Sequence, residues 1–96
     1  MPAVNFTVRW PDGIEDQCYS PSTVLYEHFK SGQEMTLADF VKKADKALNL
    51  ASERVAAKYG YHCSSASDQL YTIKKKANFF EDKTQMITIT SIVQQS

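Results

Sequence analysis

A chain of 96 residues with net charge zero has room for one hydrophobic core and not for two. Gly and Pro number three each, about half of ordinary usage, which excludes collagen-like, linker-like and low-complexity readings and leaves most residues to regular elements. No apolar run approaches the ~18 residues of a membrane span, and Met1 to Trp10 lacks the basic start and apolar middle of a signal peptide, so a cytoplasmic protein of one domain, residues 1–96, is expected. Two cysteines in such a chain are expected to be reduced thiols rather than a bridge.

Val4, Phe6, Val8 and Trp10 alternate with Asn5, Thr7 and Arg9, the two-residue period of a strand with one face buried. Pro11-Asp12-Gly13 then fits a three-residue hairpin loop, with Gly at the left-handed position. On the returning strand Ile14, Asp16 and Cys18 share one face, and Glu15, Gln17 and Tyr19 the other. Its acidic residues suit a solvated edge, and Asp16 is the inward position without an evident partner.

Ser20-Pro21 reads as a helix start, with Ser as N-cap, Pro at the first helical position, and Val24, Leu25 and Phe29 on one face. A longer helix opens at Thr36, a capping hydroxyl with Asp39 three residues on and Met35 and Phe40 at staple positions. Its apolar stripe is Leu37, Val41, Ala44, Leu48, Ala51, Val55 and Tyr59, and Gly60 ends it. At 1.5 Å per residue the helix would measure roughly 34 Å, longer than a seven-residue strand, so either it overhangs the sheet or Asn49 interrupts it.

Ser64 or Ser65 can cap a further helix with Ala66, Leu70, Ile73, Ala77 and Phe80 on its apolar stripe and Lys74, Lys75 and Lys76 at its negative end. Ile87, Ile89 and Val93 alternate with Thr88, Thr90 and Ile92 as a terminal strand. The order β-β-α-α-α-β predicts an α+β two-layer domain with helices on one face of a three-stranded, mostly antiparallel sheet.

Arg9-Trp10-Pro11-Asp12-Gly13, Cys18-Tyr19-Ser20-Pro21-Ser22, Leu37-Ala38-Asp39-Phe40-Val41, Ala51-Ser52-Glu53-Arg54-Val55 and Lys58-Tyr59-Gly60 occur in the order and spacing of a known family. With Cys63-Ser64 and Gln69-Leu70 they cover residues 3 to about 80, and in them the chain resembles a bacterial family of small nitrogen-starvation-response proteins. The resemblance implies a gene beside a nitrilase-type hydrolase and a role in scavenging nitrogen. It brings no enzymatic activity and no catalytic residues.

Cys63 precedes a predicted helix, where orphan N–H groups favour a thiolate, and His62 stands beside it. A reactive thiol and a small apolar plug are both open to Cys63 and to Cys18, and the plug is preferred because free cysteine is among the most buried residues. Cys18, His28, His62 and Cys63 could supply four zinc ligands, but no local spacing gathers them, so neither metal nor cofactor is expected. Glu15, Asp16, Glu27, Asp39 and Asp68 fall in predicted turns, edges or caps, without a nucleophile–base pattern.

Charge divides unevenly, with the hairpin acidic and the helices basic. Were Asn49 to break the long helix, Asp39 to Gly60 would resemble a helix-turn-helix with Arg54 and Lys58 on its second helix, although a neutral chain is a poor nucleic-acid binder. The expected function is a non-catalytic accessory or regulatory role in the nitrogen-starvation response through protein contacts. A small cysteine-dependent enzyme is the alternative, and helix-turn-helix DNA binding the third reading. The expected contact surface is Asp12, Glu15, Tyr19 and Tyr26, where exposed tyrosines beside like charges can anchor and steer a partner. That partner is expected among nitrogen-metabolism enzymes, with no membrane involved and self-association open.

Overall fold

A computed structural model describes residues 3–60 and 64–94. The chain opens as the alternation predicts. Strand β1, Val4–Arg9, buries Val4, Phe6 and Val8, and strand β2, Glu15–Ser20, returns antiparallel with Val8 opposite Asp16 and Phe6 opposite Cys18. The Gly13 N–H donates to Trp10 O at 2.9 Å, and Gly13 adopts φ +88°, the left-handed conformation that closes the three-residue loop. Trp10 N–H then reaches Ile14 O at 2.9 Å.

The helix expected from Ser20-Pro21 is instead a five-residue 3₁₀ helix, Thr23–Glu27, capped by Ser22, whose hydroxyl accepts from Val24 N–H. Ser20 is the buried last residue of β2, and its Oγ donates to Ser22 O at 2.9 Å. Five residues that include β-branched Thr23 and Val24 give too few turns to repay α-helix nucleation, so the segment tightens and buries Val24 and Leu25.

A fourth strand, β3, Glu34–Thr36, corrects the three-stranded expectation. It holds one apolar residue, Met35, so no period announces it. Backbone pairing makes it a strand, with Glu34, Met35 and Thr36 opposite Thr88, Ile87 and Met86 of strand β4, Met86–Gln94. The sheet order is β2-β1-β4-β3, every neighbouring pair antiparallel, so the element order is β-β-3₁₀-β-α-α-β rather than β-β-α-α-α-β.

Helix α1, Leu37–Tyr59, is capped by Thr36, whose Oγ1 accepts from Asp39 N–H at 3.2 Å, and ends at Gly60 with φ +81°. It runs unbroken through Asn49, whose side chain donates to Asp45 one turn back at 2.6 Å. The helix-turn-helix reading required a break there and is overturned. Leu37, Phe40, Ala44, Ala47, Leu48, Ala51 and Val55 are buried and Val41 is partly so, but Tyr59 is exposed, contrary to its place on the expected stripe. The helix is about 34 Å long by its rise, close to the 39 Å longest extent of the molecule.

Helix α2, Ser64–Ala77, packs on α1 and beside β2 through Ala66, Ile73 and Ala77, with Leu70 and Phe80 at the margin. Lys83 Nζ donates to Ala77 O and Phe80 O and caps its C-terminus. The cap expected of Ser64 or Ser65 lies outside the described side chains, as do Cys63 and His62. No described helix is long and apolar enough to cross a membrane.

Both helices lie against one face of the sheet, and the core between the layers contains a run of rings. Phe6 stacks on Phe29 at 6.0 Å, Phe29 meets Phe40 at 5.7 Å, Phe40 meets the edge of Trp10 at 5.6 Å, and Trp10 stacks on Phe80 at 6.2 Å. Those rings join β1, the segment after the 3₁₀ helix, α1 and the end of α2.

Strand β4 departs from simple alternation. Val8 lies opposite Ile89 but Thr7 lies opposite Ser91, which leaves Thr90 as an extra residue. Beyond that bulge Ile92, opposite Phe6, packs on the core, and Val93 is 59% exposed. The expected inward Val93 and outward Ile92 are therefore reversed. In urea unfolding, Ile92→Ala should cost about 1–3 kcal/mol and Val93→Ala less than about 0.5 kcal/mol; the opposite ranking would restore the unbulged register.

Candidate binding cleft

As an edge strand, β2 exposes a row of backbone groups that a neighbour must satisfy or guard. Here α2 supplies the neighbour: Tyr19 N–H donates to Gln69 Oε1 at 2.9 Å. A helix laid beside a strand edge does not fill it as another strand would, and a cleft of about 200 Å³ opens between β2 and α2. Buried Trp10, Cys18 and Ile73 line it, together with the more accessible Gln17, Gln69 and Thr72.

Two charged groups complete the lining, Asp16 and Lys76. Asp16 stands opposite Val8 on the face that carries the helices, but it is exposed at the open end of the strand rather than turned into the core, and its Oδ2 accepts from the Trp10 indole N–H at 2.9 Å. Lys76 Nζ stands 3.5 Å from Asp12 Oδ2, 5.9 Å from the Phe80 ring centre and 5.8 Å from that of Phe79. Thr72 Oγ1 donates to Asp68 O at 3.0 Å.

Cys18 sits against this cleft as a buried free thiol. Burial pushes its pKa up to about 12, with the negative charge of Asp16 adding to the rise. A thiol in that environment remains protonated at neutral pH and is a poor nucleophile.

The residues expected to form a contact surface lie on different parts of the hairpin and the segment after it. Asp12 accepts from Ile14 N–H at the loop and turns its other oxygen to Lys76 of α2. Glu15 pairs with Arg9 at 3.1 Å, both about half exposed. Tyr19 lies four residues farther along the same face of β2, about 13 Å away at strand rise, and Tyr26 is exposed on the 3₁₀ helix. His28 ends that helix. Among the described residues no three of His, Cys, Asp and Glu gather as metal ligands.

Gln69, Thr72 and Lys76 did not enter the sequence reading as site residues. Their proximity to β2 spans some fifty residues of chain, as the Tyr19–Gln69 bond shows, and no local pattern encodes it. Of the lining residues, Cys18 entered that reading as a candidate thiol, and Asp16 only as an edge acid without an evident partner.

The profile of a family described as "Nitrogen starvation-induced protein NitG" matches residues 5–92, which takes in both helices, both edge strands, and the two central strands except for Val4 of β1 and Val93 and Gln94 of β4. The chain belongs to the NitG family. Comparison with curated proteins and with solved structures finds no match. The NitG description states when these proteins are induced, and the chemistry must be argued from the cleft and its surroundings.

The raised Cys18 pKa has a definite sign. The folded state holds this proton more tightly than the unfolded chain, whose thiol titrates near ~8.5, so the thiol's contribution to stability is complete below about pH 8.5 and is lost as pH rises toward 12. In a Cys63→Ser background, iodoacetamide at pH 8 should modify native Cys18 about three orders of magnitude more slowly than the urea-unfolded chain. Comparable rates would show that the thiol is ionised or open to solvent.

Proposed function

We propose that this member of the NitG family is a non-catalytic accessory or regulatory protein of the nitrogen-starvation response, acting in the cytoplasm through contact with a protein partner. The observation that carries the reading is the state of Cys18. Cys63, the first candidate of the enzymatic alternative, lies outside the described residues; the described thiol, Cys18, is buried with its pKa raised, and the nearby Asp16 carboxylate accepts from an indole rather than facing a nucleophile as a base. Groups tied down in this way suit recognition better than bond-making.

The surface we assign to the partner runs along the hairpin, with Asp12 and Glu15 at one end, Tyr19 farther along β2, and Tyr26 beyond. Glu15, exposed, and Tyr19, half-buried, alternate with the buried Cys18 and Ser20 and so share the sheet face that carries no helix, where a partner can dock without displacing any element. Tyrosine provides a large contact area, and the charged groups beside it, Glu15 with Arg9 and Asp12 with Lys76, make a rim of both signs that orients a partner.

Affinity capture from nitrogen-starved cells, with the wild-type chain and a Glu15→Lys, Tyr19→Ala double variant of unchanged thermal midpoint, tests this assignment. Recovery of the wild-type partner should fall roughly tenfold or more in the variant, the scale of losing one anchoring residue. Equal recovery would move the contact elsewhere, and a turnover of a small nitrogen compound abolished by alkylating Cys63 would replace the accessory role with catalysis.

A further inference from the structure

We propose that the cleft between β2 and α2 is a binding site for a compact organic cation, a small ammonium, amidinium or guanidinium compound with a short apolar portion. The inference goes beyond the protein-contact reading and does not depend on it.

Size restricts the occupant first. A cleft of about 200 Å³ has space for on the order of seven water-sized groups, below the ~300–1,000 Å³ of sites for drug-sized ligands. Charge then selects its sign. The cleft lining holds one carboxylate, Asp16, and one ammonium, Lys76. Lys76 already has a counter-charge in Asp12 at 3.5 Å and also lies over the Phe80 ring. Arg9, the other cation of the hairpin, is paired with Glu15. Asp16, exposed at the mouth of the cleft, is therefore the lining group left with excess negative charge. Its Oδ2 is fixed by the Trp10 indole, while Oδ1 makes no hydrogen bond among the described residues.

The remaining lining agrees with a cation that has an apolar part. Trp10, Cys18 and Ile73 offer an apolar floor, and the protonated Cys18 brings no second anion. Thr72 donates its proton to Asp68 O, so its oxygen is free to accept an N–H. An N–H-bearing cation placed here would find a charged acceptor in Asp16 and a neutral one in Thr72, with hydrocarbon against the floor. An anion would meet the uncompensated carboxylate.

Trp10 is the single tryptophan of the chain, and its hydrogen bond to Asp16 makes it a built-in reporter. The full chain is titrated with n-butylammonium and methylguanidinium chloride while Trp10 fluorescence is followed, with sodium butyrate and n-butanol as matched controls at constant ionic strength. Both cations should give a saturable change in the low millimolar range, about what a handful of heavy atoms can supply, and neither control should. Asp16→Asn, which keeps an acceptor for the indole and removes the charge, should weaken binding at least about tenfold, whereas Lys76→Met, which removes a competing positive charge, should tighten it. Opposite shifts from two lining residues are not what general loosening of the fold produces. No saturable response to either cation, an equal response to butyrate, or unchanged binding in Asp16→Asn would overturn the proposal, as would weaker cation binding in Lys76→Met.

Discussion

The antiparallel pairing of β1 with β4 is the constraint on which the rest of the fold depends. It places the first and last strands together at the centre of the sheet, each with a neighbour on both sides. Val4, Phe6 and Val8 of β1 and Ile87 and Ile89 of β4 are thereby committed to one buried face. Everything between these strands must return to cover that face, and the helices do so. Joining segments some eighty residues apart carries a loop-closure cost, and the reward is a core in which both central strands are buried together. The opposite face can remain polar because an antiparallel sheet needs only one covered side.

The two edges of the sheet are managed differently. β3 is only three residues long, too short to template a foreign strand. β2 is twice that length and is guarded by acidic residues and by α2, whose Gln69 takes the hydrogen bond of the edge N–H at Tyr19. A helix can satisfy only part of a strand edge because its side chains project at helical spacing, unlike the regular ladder of another strand. The cleft follows from that mismatch. It lies where the Trp10–Asp16 pair of the hairpin approaches the Lys76 end of α2.

Much of this organisation was legible in the sequence wherever a pattern extended over enough residues to repeat. The alternation through Trp10, the Pro-Asp-Gly loop, the Thr36 cap, the long apolar stripe and the Gly60 stop all correspond to elements of the structure. What escaped was shorter or nonlocal. Met35 alone could not announce β3, and the few residues from Thr23 to Glu27 looked helical without having the length of an α-helix. The bulge at Thr90 moved Ile92 inward and Val93 outward, because register after a bulge is decided by the opposing strand and not by the strand's own sequence. The same distinction applies to the candidate site: Cys18 was visible as a thiol and Asp16 as an acid on the edge strand, but the indole partner of Asp16 and the approach of Gln69, Thr72 and Lys76 exist only after the layers assemble.

Cys18 and Asp16 show how one local field can have two consequences. They stand two residues apart on the same face of β2, opposite Phe6 and Val8. Burial disfavours the thiolate, and the neighbouring carboxylate disfavours it further, so the thiol remains neutral. The field that opposes a negative charge on sulfur favours a positive charge within reach of Asp16. The nucleophilic and cation-binding readings of the cleft therefore compete: the more effectively Asp16 attracts a cation, the more strongly it suppresses ionisation of Cys18. A bound cation would partly offset that suppression, but the apolar burial that dominates the thiol's shift would persist. On electrostatic grounds the cleft is arranged to hold a cation rather than to use Cys18 as a nucleophile.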